Sequence, residues 1–168
     1  MQLILSAILF LFCLGVIHGA ICDITTFTIP NRVSYGLAAL FVPFAALGLD
    51  RTAVLLHAGL GLFVLLICLG FWKLKWLGGG DVKFLAAVSL WMGPQGILPF
   101  MLLLTAISAC LVWLLRFARQ RNPIVQASGW PAVVKQMVQK AEENAIPYGL
   151  PTAIAALAVM LEKFVDVA

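Results

Sequence analysis

The stretch WKLKWLGGGDVKFLAAVSLW, residues 72–91, decides how this chain is laid out. Three glycines, Gly78, Gly79 and Gly80, run straight into Asp81, and Lys83 follows before the chain turns apolar again. The segment that begins there, residues 82–92, is only about a dozen residues long before Met92-Gly93-Pro94-Gln95-Gly96. Whether it counts as a membrane segment fixes the side on which everything after it lies.

The chain as a whole demands a membrane. Of its 168 residues, 63% are hydrophobic and only 11% charged, with a mean hydropathy of +1.06. A soluble domain of this length has too few interior positions for so many apolar side chains, so the excess must face lipid. A spanning helix needs roughly 20 apolar residues. Segments 3–22, 33–49, 53–72, 96–115 and 147–163 meet that need, and 82–92 is the short one. The expected architecture is all-α: a single integral membrane domain over residues 1–168 with six transmembrane helices, the fourth short. Pro43 falls inside the second segment, where a kink is expected rather than a break. The first cation is Arg32, so the basic start of a secretory signal is missing and 3–22 reads as a retained span.

Charge then sets the orientation. With six spans, one set of alternate connectors holds Arg32, Lys73, Lys75, Lys83, Arg116, Arg119, Arg121, Lys135 and Lys140, and the other only Arg51 and Lys163. Positive residues favour the cytoplasmic side. The N-terminus is therefore expected outside, with connectors 23–32, 73–83 and 116–146 in the cytoplasm. Dropping the short segment would put the most basic connector outside, so charge argues for keeping it. Trp72, Trp76, Trp91 and Trp113 fall at expected span ends, as an interfacial belt requires.

Topology sorts the aspartates. Asp50 beside Arg51 and Asp166 near the C-terminal end read as solvated flank charges. Asp23 and Asp81 stand where apolar helices meet the cytoplasmic face, and ionisable groups at membrane depth mark function by default. Each also has a plain reading: acids cap helix ends, and a glycine run can be a mere hinge. After Asp23 comes Ile24-Thr25-Thr26-Phe27-Thr28-Ile29-Pro30-Asn31, in which proline disfavours a helical Ile29, so that it should be extended, and the connector is short.

The remaining features are plainer. Cys13, Cys22, Cys68 and Cys110 form no CxxC pair and no metal-type spacing, and read as small hydrophobes. His18 and His57 lie within spans and are expected to be neutral and packed. Gly15 and Gly19 suit close helix packing. Residues 131–143, PAVVKQMVQKAEE, place their apolar residues on one helical stripe, as in an amphipathic helix on the inner leaflet anchored by Trp130.

Asp23 with Ile29-Pro30-Asn31, and Gly78-Gly79-Gly80-Asp81-Val82-Lys83 about fifty residues on, resemble the type IV prepilin peptidases, membrane aspartic peptidases of the G-x-G-D class. Ile146-Pro147-Tyr148-Gly149 looks like a further signature. The resemblance implies that Asp23 and Asp81 are the catalytic pair of an endopeptidase that removes prepilin leaders, with no metal and no organic cofactor. Its partners would be prepilins and pseudopilins with a basic cytoplasmic leader, and the lipid bilayer, but no nucleic acid. Its location would be the bacterial cytoplasmic (inner) membrane, multi-pass. Long bifunctional members carry a CxxC-bearing segment associated with N-methylation. This chain has none, and so resembles the short, peptidase-only form of tight-adherence (Flp-type) pilus systems.

Two close carboxylates cannot both ionise cheaply, so a catalytic pair shares one proton. Helix poles favour a charged Asp81 as base and a protonated Asp23 as acid. Gly78 and Gly80 are expected to let a substrate backbone lie beside Asp81. Lys83 either anchors to lipid phosphates or meets a substrate acid. The competing class is a small transporter or channel subunit, or a secretion-apparatus scaffold, with the aspartates binding a cation or relaying protons.

Overall fold

The computed structural model describes residues 1–120 and 147–167, together with positions 132, 134, 135 and 139. Among them the chain is all helical: α1 (Gln2–Thr26), α2 (Asn31–Gly48), α3 (Arg51–Lys73), α4 (Gly79–Gln120) and α5 (Gly149–Val167). Three of these, Gln2–Thr26, Arg51–Lys73 and the Gly79–Phe117 portion of α4, are long and apolar enough to cross a membrane. The stretch expected to form an amphipathic helix, 131–143, lies almost wholly outside the described residues, as does Ile146.

The weak point of the sequence is where α4 bends. Gly93 is non-helical at φ 64, ψ −175, a conformation essentially reserved for glycine, and the His57 ring packs against its bare face. An unbroken helix would separate Asp81 from Val112 by about 46 Å at 1.5 Å per residue. Both instead line one cavity, so the second half of α4 folds back along the first. Pro43, by contrast, leaves α2 continuous, and Pro94 and Pro99 sit just beyond the bend.

Close contacts fix the directions. Gly19 meets Phe84 and Phe12 stacks on Trp91 at 4.5 Å between ring centroids, so α1 runs antiparallel to the first half of α4. In α2, Asn31 pairs with Lys83 and Leu37 with Trp91, which makes that helix parallel to it. α5 returns along α1, because Gly149 reaches Asp23 and Met160 shares a cavity with Leu9 and Gln2. The C-terminal end of α1 and the N-terminal ends of α2, α4 and α5 are thereby gathered at one end of the bundle. Gly15 and Gly19 serve contacts inside the chain, against Leu37 and Phe84.

One expectation fails at the other end. Trp91 is no interfacial anchor: it is 1% exposed and packed among Phe12, Phe41 and Phe44. Its indole N–H donates to Leu37 O at 3.0 Å, which lets an amphipathic ring live in the core. Trp72, Trp76 and Trp113 are exposed as expected. His57 is buried and packed, its Nδ1 bonded to Leu90 O at 2.8 Å and its ring stacked on Phe41. Asp50 caps α3 by accepting from Ala53 N.

Candidate active site

Local sequence carries Asp23 further inward than its apolar run suggests. α1 continues past residue 22 to Thr26, because Thr25 and Thr26 donate their hydroxyls back to the carbonyls of Ile21 and Cys22 at 2.7 and 2.8 Å. Phe27 then ends the helix in the left-handed region, φ 52, with its N–H on Asp23 O. Pro30, extended at φ −62, ψ 138, starts α2 at once. Asp23 is thus in the last turn of α1, 3% exposed.

At 3% exposure a carboxylate needs donors. They come from the far end of the chain: Gly149 N–H donates to Asp23 Oδ2 at 2.6 Å across 126 residues, and Leu150 N–H adds a second bond. These are orphan donors of the first turn of α5, turned on a neighbouring acid. A side chain at 149 could not fit, since its Cβ would lie 2.8 Å from Asp23 Cβ and 2.9 Å from Ile29 Cδ1.

Asp81 stands in the first turn of α4, half-buried, with Gly78 N–H turned onto its carboxylate. That arrangement belongs to a helix N-terminus. Ile29 packs against Gly80, next to Asp81, and against Gly149, whose N–H is on Asp23, so the two acids lie at the same end of the bundle on either side of one residue. The glycines make this approach possible. A Cβ on Gly80 would lie 2.8 Å from Ile29 O and 3.2 Å from Ile29 N, and one on Gly78 would lie 2.7 Å from Asp81 Oδ2. The bare face of Gly80 is filled by the chain's own Ile29 backbone, which brings the α1–α2 connector against the start of α4.

Lys83 closes the arrangement. Its Nζ donates to Asn31 Oδ1 at 2.9 Å and lies 5.7 Å from the centre of the Tyr35 ring. It thereby ties α4 to the N-terminus of α2, a use that sequence spacing did not suggest.

Two cavities meet at Asp81. One, of about 350 Å³, is lined by residues 27–31 and by Gly78, Gly79 and Gly80. The other, of about 710 Å³, is walled by apolar residues of α3 and both halves of α4, with Tyr148 and Thr152 at its margin. Tyr148 and Asp81 line this cavity together. Its carbonyl accepts from Thr152 N at 3.2 Å and Thr152 Oγ1 at 2.8 Å, which fixes its backbone. Pro147-Tyr148-Gly149 stands out in the sequence as a signature, but nothing local shows its task. Among the described residues, no group of three or more His, Cys, Asp or Glu could hold a metal ion.

The arrangement brings two acids from different helices to one end of the bundle, with open space at Asp81. Comparison with known proteins points the same way. A family model described as the type IV leader peptidase family matches residues 9–115, which include both aspartates, the Ile29-Pro30-Asn31 turn and the glycine run. No curated protein and no solved structure matches.

Proposed function

The chain belongs to the type IV leader peptidase family, and from that premise we propose that it is an aspartic endopeptidase that uses Asp23 and Asp81 to remove the leaders of Flp-type prepilins. The observation that supports this reading is the gathering of two aspartates from different helices at one end of the bundle, each beside a neighbour of Ile29. Asp23 is buried and Asp81 half-buried at that end, and Asp81 lines the smaller cavity.

Asp23 accepts two backbone N–H groups from the N-terminus of α5, Asp81 one from Gly78. Bonds of this kind favour the ionised form of their acceptor. Asp23 is therefore the base that takes a proton from water, and Asp81 carries the shared proton to the scissile carbonyl. This reverses the roles that helix poles alone suggested, because the N-terminal pole of α5 outweighs the C-terminal pole of α1 at Asp23. Carboxyl-carbon NMR of the resting enzyme tests it: a protonated resonance assigned to Asp23 would restore the first assignment.

The leader lies in the smaller cavity, its backbone beside Gly78 and Gly80, with Lys83 holding the Asn31 turn at the rim. Six crossings with the N-terminus outside, deduced from charge, put this cavity on the cytoplasmic side of the inner membrane, where a basic leader waits. The absence of CxxC pairs supports cleavage without N-methylation.

Co-expression with a candidate precursor tests the reading directly. Leader removal should proceed with the wild-type chain, persist in the presence of chelators, and stop with Asp23→Asn or Asp81→Asn. Processing that survives both substitutions would remove the aspartic mechanism and favour a scaffold.

A further inference from the structure

Between the two acids stands one side chain that the chemistry above does not use. Ile29 is 5% exposed, in the short connector between α1 and α2. Its Cβ end lies against the glycine run: a Cβ on Gly80 would be 3.4 Å from Ile29 Cβ and 2.8 Å from Ile29 O. Its Cδ1 end lies against the start of α5, 2.9 Å from where a Cβ on Gly149 would be. The residue after Gly80 is Asp81, and the amide of Gly149 holds Asp23 Oδ2 at 2.6 Å. The isoleucine side chain is thus the material between the backbone that carries one acid and the backbone that holds the other.

A spacer has to be stiff, and this one is stiff for local reasons. Isoleucine branches at Cβ, which restricts its χ1. Pro30 follows with its ring-fixed φ, −62 here, and disfavours a helical residue before it. On the other flank, Phe27 in the left-handed region puts its N–H on Asp23 O at 2.9 Å. Thr26 Oγ1 donates to Thr28 O at 3.1 Å and lies 2.9 Å from Thr28 Oγ1. The connector is tied back to the residue that carries the first acid. At both ends of the Ile29 side chain the neighbour is a glycine, so no side chain there can give way, and a change in the spacer's length moves a helix start.

We infer that Ile29 is a positioning residue whose side chain sets the separation of Asp23 and Asp81 by holding the start of α5 off the start of α4. The inference rests on the peptidase reading above and adds what fixes the distance between its two acids. Ile8 provides the comparison. It is 7% exposed in the same core, and it precedes Asp23 in α1 by about 22 Å at 1.5 Å per residue. The same methyl group can be removed there far from the acids.

The test uses the full-length enzyme in membranes with a full-length precursor. Ile29→Val deletes Cδ1 alone and keeps the branch at Cβ. It should lower kcat about tenfold with KM within about twofold, the mark of misplaced catalytic groups rather than of lost binding. Ile8→Val should lower the melting temperature by a similar amount and leave both constants unchanged. Gly80→Ala presses on the same spacer from its other end. The double variant Gly80→Ala with Ile29→Val should therefore be at least threefold more active than Gly80→Ala alone, because groups in one contact are coupled. In the resting enzyme, carboxyl-carbon NMR should show the resonances of both aspartates moved by Ile29→Val and neither moved by Ile8→Val. An Ile29→Val enzyme with unaltered kcat would overturn the inference. So would a double variant no better than Gly80→Ala, or aspartate resonances that Ile29→Val leaves in place. A wild-type chain that cleaves no precursor would instead sink the peptidase reading, while the NMR comparison still reads whether Ile29 spaces the acids, so the two failures are told apart.

Discussion

The two ends of the bundle bury polar groups in opposite ways. Around Trp91, the indole N–H has Leu37 O, His57 Nδ1 has Leu90 O, and aromatic rings fill the space between them. Around Asp23 and Asp81 the donors are backbone N–H groups of helix starts, and Asp81 opens onto two cavities. At the first end both ring nitrogens have backbone partners, and Trp91 and His57 also line a cavity of about 420 Å³. At the second, the acids meet backbone amides, and Asp81 faces open space in both of the cavities that it lines. Satisfied burial holds helices together, and incompletely satisfied burial beside space is where chemistry can be done.

The sharpest way to break that contrast is to exchange the consequences of mutation. Asp81→Asn should lower the cleavage rate by at least about 10³-fold, within the range that general acid–base groups supply, with thermal stability in detergent unchanged or raised. Trp91→Ala should do the reverse. It leaves a cavity among three phenylalanines and removes the indole bond to Leu37 O, at a cost on the order of 3 kcal/mol. The activity of the fraction that stays folded should be near normal. If Asp81→Asn unfolds the protein, or if folded Trp91→Ala is inactive, the two ends are not separable.

Gly149→Ala comes next. Its methyl group would meet Asp23 and Ile29 and push the start of α5 off the carboxylate. Cleavage should fall about 100-fold by displacement of a catalytic group through an ångström or so, with little change in overall helicity by circular dichroism. Gly80→Ala should act similarly through the Ile29 backbone. Full activity in either variant would mean that the close approach is not needed.

Tyr148→Phe is expected to matter less. The ring still fills its place at the margin of the larger cavity, but the hydroxyl near Asp81 is lost. If that hydroxyl steadies the developing oxyanion, kcat should drop about tenfold with KM unchanged, a modest share of what oxyanion donors supply. A change confined to KM would make Tyr148 a cavity-lining residue only.

These sites differ in how far the sequence foretold them. The apolar runs located the helices because length in lipid is a one-dimensional quantity, and the Met92–Gly96 interruption coincides with the bend at Gly93. The two aspartates were legible because an acid beside an apolar run is conspicuous. The Gly149 amide was not, since every residue but proline carries an N–H and nothing local shows which acid it will meet 126 residues away. Trp91 was misassigned for a related reason. A tryptophan at the end of an apolar run satisfies its N–H equally well at an interface or on a carbonyl such as Leu37 O, and only its place against α1 and α2 makes residue 91 internal. The glycine run pointed to close approach but could not say that Ile29 makes it.

The smallest effect tests the rim. Lys83 donates to Asn31 while its charge faces the Tyr35 ring, and exposed contacts of this type contribute roughly 0.2–1 kcal/mol. If its task is to hold the Asn31 turn, Lys83→Gln keeps a donor of shorter reach and Lys83→Met keeps none. Lys83→Met should then lower cleavage about threefold, Lys83→Gln less, and Asn31→Ala should match Lys83→Met, with the double variant no worse than either single one. If Lys83 instead reads an acid on the substrate, the outcome differs in kind. Lys83→Met and Lys83→Gln would then be equally impaired, Asn31→Ala would be close to normal, and neutralising the matching acid on the precursor would abolish the difference. The double-mutant comparison separates the two, because groups in one contact are not additive and groups with separate tasks are.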